Sequence, residues 1–352
     1  MKKMILLLTP VLLCFILLFL RNSGVVVQGG NTVLQSPQSK WDKILLATRN
    51  CGVGCERNYA EERMLKLKEG CGEICNTNIN GQPSLFFPEI RKQVNCSALI
   101  SNKVIDESRP KGPAPRIPDV MLDAFTYGGK IPIIQYTNDL LNQYYLGATA
   151  QTPIWHEKVI DDMKSNCSAG TLQGNYGFEE TRKVFQGLKR MQTVKGGHVL
   201  VVGSENPWLE ACILAAGASR TTTLEYGSIT SYHPQVKSMN PSEMREKYQQ
   251  GILPLFDAVA TFSSVEHSGL GRYGDALNPW GDLQTMARAW CITKPKGELL
   301  LGVMTAADDS PGRIEFNAHR VYGSLMFSHL CANWKQKWRG PPGGQVVHVL
   351  QK

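Results

Sequence analysis

The chain contains no P-loop signature, no Asp-x-Asp pair and no internal repeat. The first absence removes the lysine-and-hydroxyl phosphate cradle of the nucleoside triphosphatases. The second counts against a metal-dependent glycosyltransferase, a class that shares the anchor-and-stem plan described below. Charge is sparse as well. Only 19% of the residues are charged, and the net +8 is scattered without a basic run or aromatic-basic interleaving. A nucleic-acid surface needs such clustering, so no nucleic-acid partner is expected. What remains is an ordinary globular composition, 42% hydrophobic, in a chain of 352 residues with room for one large or two modest domains.

The N-terminus supplies what the rest lacks, a long apolar run. Lys2 and Lys3 precede Met4 to Leu20, and Arg21 closes it. Seventeen apolar residues behind two lysines read as a short membrane anchor or as the core of a signal peptide. No small-residue cleavage pattern follows. The lysines place the N-terminus in the cytoplasm and the bulk of the chain across the membrane. Residues 22–40, rich in Gly, Gln, Ser and Asn, read as a stem. The expected address is the Golgi or ER lumen as a single-pass type II membrane protein, or secretion. Asn95-Cys96-Ser97 and Asn166-Cys167-Ser168 are N-glycosylation sequons that agree with it.

Ten cysteines fit an oxidising compartment. Cys51, Cys55, Cys71 and Cys75 form two C-x3-C pairs, and on a helix each pair presents both sulfurs on one face. Between them NYAEERMLKLKEG is made mostly of strong helix formers. Two antiparallel helices stapled by Cys51–Cys75 and Cys55–Cys71 disulfides are therefore expected within a cysteine-rich helical region, 41–105. A four-thiolate zinc site is the alternative, although C-x2-C spacing is commoner for zinc. Cys96 and Cys167 are candidates for a further pair. DESRPKGPAPRIP, residues 106–118, holds four prolines and reads as a linker ahead of a domain at 119–352.

From there helices and strands alternate. Helical spacing marks 138–145, Ile154 to Met163 and Phe178 to Leu188. Then comes HVLVVGSENPWLEACILAAGASRTTTLE, residues 198–225: a β-branched strand, a turn at Gly203, an apolar helix, a second strand and a terminal acid. That is the layout of a nucleotide-binding βαβ half. Its turn carries one glycine where a dinucleotide fingerprint has three, and Glu205 would repel a pyrophosphate. A cofactor without phosphates suits it better, and Glu225 stands where ribose hydroxyls would need an acceptor. Further strands are expected at 236–239, 256–262 and 298–303, with helices from Ser242 as cap to Gln250 and from Gly281 to Trp290. An antiparallel pair closes the chain across Gly340–Gly344. The sum is an α/β fold with a mostly parallel sheet covered on both faces.

VLVVGSENPWLEA, the acid after TTTL, FDAVATFSSVEHSGLGRYGD and KPKGELLLGV resemble the successive motifs of class I S-adenosylmethionine-dependent methyltransferases. SSVEHSGLGRYGD…NPWGD and FNAHRVYG resemble, more narrowly, an uncharacterised family found mainly in nematodes. The resemblance spans roughly residues 119–352. It implies a Rossmann-like, seven-stranded sheet and S-adenosylmethionine as cofactor. Gly203, Ser204 and Glu205 would lie near its methionine part, Glu225 near the ribose, Met239 and Asn240 near the adenine, and Ser263 at the end of the fourth strand.

His267 is the expected general base, because an imidazole of ordinary pKa removes a proton near neutral pH. Glu266 or Asp275 would orient it. Arg272 and Tyr273, on the glycine-rich Gly269–Asp275 loop, and Asn317, His319 and Arg320, expected with Tyr322 on a helix, would meet the acceptor. No metal site is expected. The acceptor would be a glycan or other small molecule of the secretory pathway. A catalytically inactive binding module on the same fold is the alternative.

Overall fold

A computed structural model of the chain describes residues 53–77, 89–108, 116–136 and 150–352. The Met4–Leu20 run, the stem, Cys51 and the helix expected at 138–145 lie outside them. Among the described residues no helix is long and apolar enough to cross a membrane.

In chain order the elements are α1 (Val53–Glu69), α2 (Cys96–Ser101), α3 (Asp119–Phe125), β1 (Ile133–Tyr136), β2 (Ile154–Trp155), α4 (Glu157–Ala169) and α5 (Phe178–Arg190). There follow β3 (His198–Val202), α6 (Trp208–Ala215), β4 (Arg220–Leu224), β5 (Thr230–Ser231), β6 (Val236–Met239), α7 (Pro241–Gln249) and β7 (Phe256–Phe262). The last are α8 (Gly281–Ile292), β8 (Thr293–Val303), β9 (Gly312–Phe316), β10 (His319–Tyr322), α9 (Ser324–Leu330), β11 (Lys335–Arg339) and β12 (Val346–Gln351). Two compact units result. The smaller one contributes the first turns of α1 and residues 118–120 to the described structure. The larger takes in 64–117 and 121–352, on both sides of the Pro-rich stretch.

The larger unit is built on a seven-stranded sheet of order β11-β12-β8-β7-β3-β4-β6. β3 pairs in parallel with both β4 and β7, β4 with β6, and β7 with β8. β12 alone runs against its neighbours, antiparallel to β8 and β11. All five residues of β3 are buried, which is why its sequence is an unbroken β-branched run rather than an alternation. Val199 and Val201 face a core formed with α4, α5 and α6 through Val184, Leu188, Leu209 and Ile213. Leu200 and Val202 face the opposite side, towards Met244 of α7 and Ile292 of α8. Strand order reverses between β3 and β7, so a crevice opens at their carboxyl ends, where open α/β sheets bind ligands.

Several local expectations are corrected. Asn240, not Ser242, caps α7: its side chain accepts from Glu243 N at 2.9 Å, with Pro241 as the first helical residue. Ile154 and Trp155 are a short strand beside β5, and the helix begins at Glu157. The segment holding Asn317, His319, Arg320 and Tyr322 is a β9–β10 hairpin rather than a helix. Asn317 takes the positive φ of 60° at its turn, a conformation asparagine tolerates better than most residues. This hairpin continues a three-stranded sheet with β1.

The disulfides also differ from expectation. Cys71 bonds Cys75 across a single 3-10 turn, Gly72–Cys75, so neither is available to a second helix. Cys96 bonds Cys291 of α8, and Cys167 bonds Cys212 of α6. Cys331 is buried and free. The sequon residues Asn95 and Asn166 are exposed.

α5 approaches the sheet at Gly187, where an added Cβ would press within 2.9 Å of the Leu300 methyl and 3.1 Å of Val347. Gly187→Leu should therefore destabilise the domain by about 1–3 kcal/mol through overpacking. Urea unfolding measures it, and an unchanged midpoint would contradict this packing.

Candidate functional site

The crevice at the reversal point is a cleft with about 850 Å³ of free space out to its open mouth. Its floor is the turn after β3. Gly203 adopts φ +75°, and a Cβ there would collide with the Ser264 hydroxyl. The one glycine of this turn therefore serves two needs, a left-handed backbone and close approach by the turn after β7.

Ser204 is the junction of the floor. Its N–H donates to Glu225 Oε2 at 2.9 Å, and its hydroxyl donates to Glu210 Oε2 at 3.1 Å. Glu225, at the end of β4, also accepts the Tyr226 N–H through Oε1 at 2.7 Å. Glu210, on α6, accepts the Thr223 hydroxyl of β4 at 2.6 Å. Burial pushes both carboxyls up to about 7 against these hydrogen bonds, which favour the ionised forms. Glu205 is exposed at the rim, where its carbonyl accepts the Trp155 indole N–H at 3.1 Å. An aromatic wall stands beside the floor. Tyr176 lies 5.0 Å from the Phe262 ring, and Trp208 meets Phe262 edge-on at 5.5 Å.

The turn after β7 supplies the opposite wall. Ser263 holds a positive φ of 50°, a strained position for a non-glycine residue of the kind that clusters at functional sites. Glu266 is fully buried beneath this turn, beside the Ser263 hydroxyl, and burial pushes it up to about 7. His267 lines the cleft. Its Nδ1–H donates to the Ala318 carbonyl, which fixes the tautomer because a carbonyl can only accept. Nε2 is left as an acceptor. Burial, followed by the nearby Arg272, His319 and Arg320, lowers the imidazole to about 3. This corrects the expectation of a base with ordinary basicity: His267 is neutral at pH 7 and a poor holder of a proton.

The residues expected to orient His267 are placed elsewhere. Asp275 accepts three backbone N–H groups of its own loop, from Gly269 at 2.6 Å and from Gly271 and Tyr273 at 3.3 Å. It shapes the glycine-rich loop, while Ala318 orients the imidazole. Tyr273 packs edge-on to His267 at 5.3 Å, and the Arg272 guanidinium lies 5.5 Å over the Tyr273 ring. His319 stands 6.1 Å from His267 and pairs with Glu315 at 3.3 Å.

Arg320 is only 1% exposed, so it is not a surface for acceptor. It clamps the loop from beneath, donating to the carbonyls of Ser268 (2.6 Å), Glu266, Asn278 and Pro279, with Asp282 at 3.5 Å. Asn317 is likewise fully buried. Met239 is buried and gives its carbonyl to Glu225 N, and Asn240 is occupied as the α7 cap. Among the described residues no cluster of three His, Cys, Asp or Glu side chains is arranged to hold a metal.

Sequence reasoning missed Glu210, Tyr176, Trp208 and Phe262, whereas Ser264 is expected with Ser263 after the fourth strand. Only Trp208, directly after Pro207 at a helix start, carried a signal, and it reads equally as an apolar helix residue.

Among the described residues the walls contain Glu205, Glu225 and Asp275 and neither lysine nor arginine. Such a cleft suits a ligand carrying positive charge and no phosphate. The sheet order is that of a methyltransferase-like α/β fold. Residues 196–337 match the family model described as "Caenorhabditis protein of unknown function, DUF268". No curated protein matches the sequence.

Solved structures similar to it include the Burkholderia thailandensis 1,6-didemethyltoxoflavin-N1-methyltransferase with bound S-adenosylhomocysteine. That match has 14% identity and a TM-score of 0.35, and covers 59% of this chain and 97% of that one. The N-methyltransferase NodS of Bradyrhizobium japonicum matches at 12% identity and TM-score 0.33, covering 49% and 96%. Human N-acetylserotonin methyltransferase in complex with S-adenosylmethionine matches at 12% and 0.33, covering 55% of each chain. The sheet order, rather than these distant likenesses, carries the fold assignment.

Carboxyls held near 7 in the folded chain and near 4.5 when free bind more protons folded than unfolded, so their contribution to stability falls as pH rises through that window. Relative to Glu210→Gln, the wild type should lose stability between about pH 5 and 8. Urea unfolding across the series reads this, and a difference that is flat or rises with pH would contradict it.

Proposed function

We propose that the cleft binds S-adenosylmethionine and that the protein transfers its methyl group to an oxygen of a secretory-pathway acceptor, a glycan being the class that fits the expected compartment. One observation carries the cofactor reading: among the described residues the cleft walls offer buried and rim carboxyls with no lysine or arginine. A pyrophosphate would meet Glu205 and Glu225 unopposed. A ligand with an ammonium, a sulfonium and ribose hydroxyls finds acceptors instead. Glu225 accepts the backbone N–H groups of Ser204, Tyr226 and Gly227, which leaves one of a carboxylate's roughly four lone-pair sites for a hydroxyl. The bound cofactor supplies an activated methyl group, and the remaining work is positioning.

His267 Nε2 is directed as an acceptor by the Nδ1–H bond to Ala318. With its pKa lowered to about 3, His267 accepts the hydrogen bond of an acceptor hydroxyl and aligns it, and the proton that this oxygen loses as it takes the methyl group goes to bulk water through the open mouth of the cleft. In-line displacement depends chiefly on such alignment. Arg272, over the Tyr273 ring beside the cleft, would meet a polar or anionic part of the acceptor. The collision of any Gly203 side chain with Ser264 supports a second reading, a binding module without transfer, because this glycine's space is spent on protein packing.

Calorimetry on the purified full chain separates the readings. S-Adenosylmethionine should bind, Glu225→Ala should weaken binding about tenfold or more as a buried acceptor is lost, and His267→Ala should reduce turnover while sparing cofactor affinity. No heat at millimolar cofactor would remove the cofactor reading. Binding without turnover on any hydroxylated acceptor would leave the second.

A further inference from the structure

A second chamber of about 580 Å³ lies on the α7/α8 side of the cleft. The two share Gly203, Glu225, Tyr226, Ser264 and Ser268 in their walls, so these residues stand between them. Most of the second chamber is apolar, with Met244, Ala289 and Ile292 on the helix side. Its polar end is made by Asp106 and Arg288. Asp106 is the first residue of the stretch read from the sequence as a Pro-rich linker, ahead of its prolines and 139 residues before its partner Arg245.

The arm that carries it, Cys96–Ser108, is fastened at three points. Cys96 is bonded to Cys291 at the end of α8. Arg288 uses every arm of its guanidinium on it: Nε donates to Leu99 O at 3.1 Å, Nη2 to Asn102 O at 2.9 Å, and both Nη atoms reach the Asp106 carboxylate. Arg245 adds a second bond to Asp106 at 2.8 Å. Beyond Asp106 the backbone of Ser108 bridges to Asp275, and Ala276 N donates to Glu107 O at 2.9 Å. Asp275 is the residue whose carboxylate gathers the N–H groups of the glycine-rich loop next to His267. A continuous path of covalent and hydrogen bonds thus runs from the disulfide to the loop.

We propose that the arm Cys96–Ser108 is a working wall of the binding site: Asp106 closes the second chamber, the arm holds the glycine-rich loop in place, and ligand affinity depends on the Cys96–Cys291 bond. A tether would need neither a buried carboxylate shared by two arginines nor backbone pairing to the loop. The inference rests on the S-adenosylmethionine reading only for the ligand it names. The adenosine half, planar and largely uncharged, is the part suited to the mostly apolar chamber, while the charged half meets the carboxyls of the first.

The test uses the full chain with its disulfides formed, a Cys96→Ala/Cys291→Ala double variant, and Asp106→Asn, which keeps the disulfide. Calorimetry with S-adenosylmethionine should show affinity about tenfold lower in the double variant, within the range of ordinary site-to-site coupling, and at least about fivefold lower in Asp106→Asn. Amide hydrogen exchange on the ligand-free proteins should show residues 269–276 exchanging faster in the double variant, with Val199–Val202 of β3 equally protected. Unchanged exchange at 269–276 together with unchanged affinity overturns the proposal, as does an Asp106→Asn protein that binds as the wild type does. Should the double variant not fold, Asp106→Asn carries the test. If the wild type binds no S-adenosylmethionine, the cofactor reading fails by itself, and exchange at 269–276 still decides whether the arm holds the loop.

Discussion

Ser204 suspended between two buried carboxyls is the constraint on which the cleft depends. Its N–H and hydroxyl reach Glu225 and Glu210, tying the turn after β3 to the end of β4 and to α6 at one point. Burying two acids beside each other is costly unless they are hydrogen-bonded or protonated, and here both remedies operate. Thr223, Tyr226 N and Ser204 supply the donors, and the pKa values rise to about 7. A perturbed acid that lines a cleft at a strand reversal point, as Glu225 does, is a candidate for a functional site. The glycine of the turn, close against Ser264, locks the β7 side onto the same floor.

The opposite wall follows a different logic. The glycine-rich loop has little intrinsic order, and the chain supplies it from three directions. Asp275 gathers its N–H groups, Arg320 gathers the carbonyls that flank it on either side, and the arm pairs with its far end. His267 rides on this assembly, held in one tautomer by Ala318. A buried imidazole lowered to about 3 is suited to accepting a hydrogen bond at every physiological pH, and far less to carrying a proton.

Much of the sheet was legible in the sequence, because a strand buried on both faces writes itself as an unbroken β-branched run. β3 and β7 fall where the apolar runs place them, while β4, β6 and the closing β11–β12 pair, with β4, β6 and β11 only partly buried, follow from the alternation of elements and the Gly/Pro punctuation. Glu225 at the end of β4 was legible for the same reason. What escaped depends on partners distant in the chain. Glu210 reads as a surface residue of an apolar helix until Thr223 and Ser204 close around it. Arg320 reads as a free cation until the loop carbonyls are seen above it. The pairing of Cys96 with Cys291 spans 195 residues, and no spacing rule reaches that far. Residues 106–108 looked like a linker's beginning because prolines follow them, yet the bonds of Arg288 and Arg245 to Asp106 hold them against α8 and α7. His267 was found, but its basicity was misjudged, since only the packed structure carries the desolvation.

The central claim is that Glu225 is a buried acid whose charge responds to a ligand in the cleft. Carbon-13 NMR titration of the glutamate carboxyls, with the resonances assigned through Glu210→Gln and Glu225→Gln, tests it most directly. The Glu225 carboxyl should titrate near 7 in the free protein, and saturating S-adenosylmethionine should draw it down towards the ionised form. A Glu225 carboxyl that titrates near its ordinary value of 4.5 and does not move when the cofactor is added would contradict the account.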